Sequence, residues 1–274
     1  MSTLVAYRVY VSSVSESKYT PQNFFTDIKK FALFVREKKI KDIDVYAIRE
    51  WIEILQSPKG ENLQPKTVSR KISALHHYFL WLGQEGVIRD NPMERIGYKK
   101  VVAPLPDILF EQECQLLLQT ASSNPRTYLL FLLLLETGIK TEELFTLKIS
   151  NFDFSNKYAP EVWIKHTGKK VRKNRKLKLP AEIVPVFAEY VKDYAVTDIL
   201  FPYTERFIRM LIAAVVKEAK IQKKVSAQIL RDSYAVRCLR RGEHIETVLA
   251  KLGLHSETWK DAKEKYELLS SGAI

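Results

Sequence analysis

Apolar residues recur every three to four positions along most of this 274-residue chain, and this spacing restricts it to a mainly α-helical fold. In the first hundred residues the pattern predicts long helices over 19–39, 42–55 and 64–84. Thr20 and Pro21 begin the first of them, as a capping residue followed by the residue favoured at the first helical position. We therefore expect a helical domain over 1–100, a linker over 101–106 and a second domain over 107–274.

The second part of the chain combines helices with one short β-segment. Apolar spacing predicts helices over 110–121, 128–136, 181–194 and 204–219. Residues 161–165 and 176–180 instead alternate apolar and polar side chains, which is the pattern of half-buried strands. They predict a β-hairpin in a small antiparallel sheet. Residues 225–266 predict three more helices, of which the first two end at Gly242 and Gly253.

The charge of the chain points to a polyanionic partner. The formal net charge is +12, which favours nucleic acid over a membrane surface. No acidic residue lies between Lys165 and Lys178, so the basic tip of the predicted hairpin cannot neutralise itself. A solvated loop is the alternative, but we favour phosphate contacts. The hairpin residues predicted to bind DNA are Lys165, Lys170, Arg172, Lys173 and Arg175.

Several classes of protein are disfavoured by what the sequence lacks. No apolar run reaches 18 residues, so we expect no membrane span, and the N-terminus does not have the pattern of a signal peptide. Cys114 and Cys238 occur without a CxxC motif or paired histidines, so we expect no structural metal. A reducing, cytoplasmic location follows from these features.

One pair of residues near the C-terminus carries possible chemistry. Arg231 lies on the apolar side of a predicted helix, and Tyr266 follows among lysines in a later helix. An arginine and a tyrosine in such a setting are the minimal pair of residues for chemistry that forms a phosphotyrosine. A snorkelling arginine and an exposed tyrosine explain the same pattern, and this segment taken alone favours that second interpretation.

Four sequence blocks carry a resemblance to a known family. They are KTVSRKISALHHYFLWLGQEGVIRDNP at 66–92, TGIKTEELFTL at 137–147, GKKVRKNRKLKLP at 168–180 and VSAQILRDSYA at 225–235. In order and spacing they resemble tyrosine recombinases of the phage-integrase and Xer type. The resemblance implies a SAM-like helical core-binding domain and an α-rich catalytic domain with a small antiparallel sheet. It also implies double-stranded DNA as partner, contacted in the first domain by Lys66, Arg70 and Lys71, and a tetrameric synapse on DNA in the nucleoid.

The resemblance further implies a reaction and the residues for it. In the family a tyrosine attacks a DNA phosphate, giving a 3′-phosphotyrosine and a free 5′-hydroxyl, without metal or other cofactor. Two arginines neutralise the phosphate and a hairpin lysine protonates the leaving oxygen. The matching residues here are Tyr266 as nucleophile, Arg231 as second arginine, Lys169 as acid with Lys170 as near alternative, and Glu143 as supporting carboxylate.

Three positions depart from the family pattern. Lys140 stands where the first arginine belongs, and a lysine offers a point charge without the bidentate fork. Gln228 replaces a histidine or lysine, and the later histidine, His255, is displaced by one residue, which leaves Trp259 as another occupant of that place. Two functions therefore remain open: a site-specific recombinase that cleaves and rejoins DNA, or an impaired relative that binds DNA as an accessory or regulatory protein.

Overall fold

The computed structural model describes residues 3–15, 19–97, 104–165, 174–254 and 259–272. The chain divides into two compact units, Met1–Pro104 and Leu105–Ile274. The division lies within the segment for which the sequence predicts a linker. Lys169, Lys170, Arg172, Lys173 and His255 are outside the described residues.

The first unit is built from helices. They are α1 (Thr3–Val14), α2 (Thr20–Phe34), α3 (Val45–Gln56) and α4 (Pro65–Gln84), with 3₁₀ turns at Ile40–Asp42 and Pro92–Arg95. Local chemistry explains several starts: prolines occupy the first turns of α2 and α4, and the Asp44 side chain accepts a hydrogen bond of 2.9 Å from Ala47 N–H at the start of α3. The sequence pattern did not predict α1. This helix buries only Tyr7 and Val11, one turn apart, so its apolar periodicity is short.

Aromatic side chains fill the core of this unit. Phe31 of α2 packs edge-to-face against Trp51 of α3 and Phe79 of α4, with ring centroids 5.1 and 6.1 Å away. Tyr7 of α1 is fully buried against Tyr78, at 4.8 Å between ring centroids. The apolar faces predicted for α2, α3 and α4 therefore meet in one core.

The second unit is mainly helical with one small sheet. Its helices are α5 (Glu111–Ala121), α6 (Pro125–Thr137), α7 (Thr141–Leu144), α8 (Ile183–Asp193), α9 (Glu205–Glu218), α10 (Ala227–Arg240), α11 (Ile245–Lys251) and α12 (Trp259–Ser271). The strands β1 (Phe152–Asp153), β2 (Glu161–Ile164) and β3 (Arg175–Lys178) form an antiparallel sheet in the order β1-β2-β3. Val162 pairs with Leu177, and both point into the core, as the alternation predicts. The predicted fold class is thus confirmed.

Helix α6 lies at the centre of this unit. All seven residues from Leu129 to Leu135 are buried, because α5, α8 and α10 pack around them. Helix α10 contacts α6 on one side and α11 and α12 on another, so it is enclosed over most of its circumference. Its buried residues accordingly include polar ones, Arg231, Asp232, Ser233 and Arg237. Enclosure of α10 is what brings the candidate site residues into the interior.

Candidate active site

The corner between α6 and α7 forms one wall of the site. Gly138 ends α6 in the left-handed conformation, with φ of 57°, and a β-carbon there would lie 2.5 Å from Cδ1 of Tyr234. Lys140 then caps α7, and its backbone N–H donates to Oε2 of Glu143 at 2.9 Å. The TGIKTEEL block is therefore a tight turn that fixes Lys140 and Glu143 relative to each other.

Glu143 is held by an arginine from the sheet. Arg175 of β3 donates from both terminal nitrogens to the two carboxylate oxygens, each at 2.8 Å, and both side chains are 7% exposed. Burial raises the pKa of Glu143, but the hydrogen bonds and charge of Arg175 outweigh it, so this pKa lies below its ordinary value. Arg175, predicted from its sequence position to contact DNA, is thus buried in a bidentate ion pair.

The end of α11 is shaped by the same arginine. Gly253 has φ of 63°, and a β-carbon there would lie 2.5 Å from Nη1 of Arg175. A side chain at 253 would therefore require the Arg175 guanidinium to shift, and the positive φ would strain any other residue there. The sequence motif Leu252-Gly253 is therefore explained here by close approach of a buried side chain.

Arg231 connects two loops at the centre of the site. Its Nη2 donates to the carbonyl of Leu252 at 2.7 Å and its Nη1 donates to the carbonyl of Gly138. The side chain is 3% exposed, and burial lowers the pKa of its guanidinium, against the opposing effect of Tyr266 and Glu143. Two of the five N–H donors are thereby used to fix the orientation of the guanidinium.

Tyr266 faces the same interior from α12. It is 3% exposed, and its hydroxyl donates to Oδ1 of Asp232 at 2.8 Å. Burial and the adjacent Asp232 carboxylate raise the pKa of the Tyr266 phenol, while the charge of Arg231 acts in the opposite direction. The interpretation of an exposed tyrosine and a snorkelling arginine is therefore wrong, because both side chains lie inside the unit.

Asp232 was not recognised as a site residue from the sequence. It is 1% exposed and accepts hydrogen bonds from Tyr266, from Gln228 Nε2 at 2.9 Å and from Lys265 Nζ at 2.7 Å. The sequence does contain a signal for it, since Asp232 lies one helical turn after Gln228. The partner on α12, 34 residues later, could not be read from that spacing.

The remaining predicted residues are distributed as follows. Lys165 is exposed at the end of β2, with its ammonium 6.0 Å from the Trp163 ring centroid. Trp259, the alternative to His255, donates its indole N–H to the carbonyl of Leu254 at 3.1 Å. Within the described ranges, no group of three or more histidine, cysteine or acidic side chains could hold a metal ion.

The predicted DNA contacts of the first unit lie on α4. Lys66 is exposed, whereas Lys71 is 3% exposed and its ammonium is 2.9 Å from Asp27. Arg70 also donates to Asp27, which is itself 2% exposed. Of the three predicted cations, Lys66 is exposed, Arg70 is half-buried and Lys71 is buried.

Comparisons with known proteins now add to this geometry. A sequence model of the phage integrase family matches residues 108–259, and a model of the phage integrase N-terminal SAM-like domain matches residues 4–86. The chain belongs to the phage integrase family. The resemblance inferred from the four sequence blocks is confirmed.

Individual relatives agree with this family. The chain is 29% identical over 256 residues to a tyrosine recombinase of Thermosipho africanus, covering 90% of this chain and 88% of the relative. It is 26% identical over 253 residues to tyrosine recombinase XerC of Bacillus subtilis, covering 86% and 82% respectively.

Solved structures share the fold of this family member. XerH site-specific recombinase bound to palindromic difH substrate, in a post-cleavage complex, matches with a TM-score of 0.77 at 19% identity, over 92% of this chain and 77% of that one. A lambda integrase dimer bound to a COC′ core site matches with a TM-score of 0.77 at 15% identity, over 100% and 78%. Among the described residues, no helix has the length and apolar character needed to cross a membrane.

Proposed function

We propose that this phage integrase family protein is a site-specific recombinase that binds duplex DNA and cleaves and rejoins its strands through a 3′-phosphotyrosine formed on Tyr266. Site-specific DNA recombination is the function that the family and the relatives support. The observation that carries the proposal for this chain is that Tyr266, buried on α12, hydrogen-bonds Asp232, which is the neighbour of the buried Arg231 on α10.

Each residue has a part in the proposed reaction. The Tyr266 oxygen attacks the phosphorus, and Arg231, already oriented by two backbone carbonyls, donates to the non-bridging oxygens. Lys140 supplies a second positive charge without the fork of an arginine. Lys169, or Lys170 beside it, protonates the leaving 5′-oxygen, and Glu143 with Arg175 keeps the turn that carries Lys140 in place. Lys165, Lys170, Arg172 and Lys173 of the hairpin, together with Lys66, bind backbone phosphates.

A DNA-binding accessory protein is the alternative suggested by Lys140 and Gln228. The comparisons do not favour it, since the relatives are named tyrosine recombinases. Self-association on DNA, as a tetrameric synapse in the nucleoid, belongs to the proposed function. The dimer in the lambda integrase structure supports it by similarity of fold.

Covalent trapping on DNA tests the proposed function. The protein is incubated with nicked duplexes taken from the DNA flanking its own gene, and a denaturing gel then reports a protein–DNA adduct. We expect an adduct from the wild type and none from Tyr266→Phe, which removes the nucleophilic oxygen and its hydrogen bond to the Asp232 carboxylate, worth about 1.5–3 kcal/mol. Full DNA binding in a gel shift with no adduct from the wild type would refute strand cleavage.

A second variant tests the place assigned to Lys140. Lys140→Arg restores a bidentate donor at the phosphate, and we expect the cleavage rate to rise by up to ~10²-fold, the usual worth of one preorganised contact. Lys148→Arg is the matched control, because Lys148 lies in the same unit and pairs with Asp198 at the surface. Equal rates for both variants would remove Lys140 from the site.

A further inference from the structure

The Asp232 carboxylate is the centre of a hydrogen-bonded group that the matched family residues do not account for. Its Oδ1 accepts from the Tyr266 hydroxyl at 2.8 Å and from Gln228 Nε2 at 2.9 Å. Its Oδ2 accepts from Lys265 Nζ at 2.7 Å. With 1% exposure, this carboxylate is buried against the candidate nucleophile and held there by two further donors.

A tyrosine nucleophile must lose its proton when it attacks phosphorus. Gln228 occupies the place of a histidine or lysine in the family pattern, and an amide has no basic site for that proton. Within the part of the chain that the structure describes, Asp232 is the acceptor to which the Tyr266 hydroxyl donates. A candidate base must lie within about 2.6–3.2 Å of the proton-bearing atom, and Asp232 does.

We propose that Asp232 is the general base of strand cleavage, a role that rests on the proposed recombinase function. As the Tyr266 oxygen forms its bond to phosphorus, its O–H bond breaks and the proton moves to Oδ1 of Asp232. The bond from phosphorus to the 5′-oxygen breaks, and that oxygen takes a proton from the hairpin acid. In rejoining, the protonated Asp232 returns its proton to Tyr266 as the phosphotyrosine bond breaks.

The surrounding groups explain how a weak base can serve here. A free phenol and a free carboxyl differ in pKa by about 6 pH units, so the proton does not leave before attack. Burial and the Asp232 charge keep the Tyr266 pKa above its ordinary value in the free protein. Once the phenolic oxygen bonds to phosphorus, its proton becomes strongly acidic, and transfer of that proton to the Asp232 carboxylate is then favourable in free energy. Gln228 and Lys265 hold the carboxylate in the orientation that receives it.

Single-turnover cleavage of the nicked duplex tests this role. Asp232→Asn keeps the shape and an acceptor oxygen but removes the basic one, and we expect cleavage to slow by ~10²–10⁴-fold at unchanged DNA affinity. Asp232→Glu keeps a carboxylate and should retain more activity than Asp232→Asn. Glu264→Gln removes an exposed carboxylate of α12, the helix that carries Tyr266, and serves as the control, with the wild-type rate expected.

A substrate with sulfur in place of the bridging 5′-oxygen separates the base from the acid, because a thiolate leaves without a proton. We expect this substrate to restore cleavage by Lys169→Ala, or by Lys170→Ala if that residue is the acid, but not by Asp232→Asn. Rescue of Asp232→Asn would place Asp232 on the leaving-group side and overturn the proposal. A cleavage rate for Asp232→Asn within threefold of the wild-type rate would also overturn the proposal. A faster rate would overturn it too, because it would mean that the hydrogen bond to Asp232 restrains Tyr266 from attack. Absence of any adduct from the wild type would instead overturn the recombinase function, and the role of Asp232 with it.

Discussion

The buried pair of Glu143 and Arg175 yields the sharpest stability prediction. Arg175→Met keeps most of the apolar stem volume but leaves the Glu143 carboxylate, 7% exposed, without the guanidinium that binds both of its oxygens. Breaking a buried ion pair from one side costs about 3–5 kcal/mol. For a unit of this size we expect the melting temperature to fall by roughly 2–4 °C for each kcal/mol lost.

Urea unfolding, followed through amide hydrogen exchange of the buried residues 129–135 of α6, measures this loss of unfolding free energy in the second unit alone. Arg209→Met is the matched control, because Arg209 pairs with Glu205 at 4.0 Å on the surface of the same unit, where such a pair contributes about 0.5 kcal/mol or less. The double variant Glu143→Leu with Arg175→Met removes both charges, so it should cost less than Arg175→Met alone.

The pH dependence has a definite sign. Arg175 holds the pKa of Glu143 in the folded state below its ordinary value. The pair therefore stabilises the unit fully at pH values above the carboxyl pKa of the unfolded chain, and this stabilisation is lost as the pH falls through the folded-state pKa. In Arg175→Met the effect of burial is no longer outweighed and raises the Glu143 pKa, so this buried carboxylate becomes neutral on mild acidification while the wild-type pair stays charged. The difference in unfolding free energy between wild type and Arg175→Met should therefore narrow from pH 7 to pH 4. A loss below about 1 kcal/mol at pH 7, or a difference that grows in acid, refutes the reasoning.

Two further predictions concern other buried groups. Asp27→Asn leaves the buried Lys71 ammonium without its carboxylate, so the free energy of unfolding of the first unit should fall by about 3 kcal/mol. Faster amide hydrogen exchange in α4 would show this loss, and unchanged exchange would contradict it. Burial raises the pKa of Cys114 and of Cys238 to about 11, so at pH 8 roughly a thousandth of each thiol is ionised. Both should react with Ellman's reagent only after unfolding in urea, and fast labelling of the native protein would count against their burial.

Much of the fold follows from local patterns in the chain. Prolines in the first turns of α2 and α4 and the apolar spacing after them predict those helices, and alternation across 161–165 and 176–180 predicts the β2–β3 pair. Helix α1 was not predicted, because its apolar pattern consists of two buried residues, Tyr7 and Val11. Such signals act between residues a few positions apart, so a single sequence displays them directly.

The candidate site divides along the same line. The resemblance of the sequence blocks to tyrosine recombinases singled out Tyr266, Arg231 and Glu143 as candidate residues. The tertiary structure decided two further points. Arg175 is buried in a pair with Glu143 rather than exposed, and Asp232 accepts the hydrogen bond from the Tyr266 hydroxyl. Periodicity states which side of a helix turns inward, but α10 is enclosed by α6, α11 and α12, so its polar residues are buried too. A buried charge left unpaired costs several kcal/mol, so it needs a partner within hydrogen-bonding distance. Tertiary packing determines which distant side chain becomes that partner.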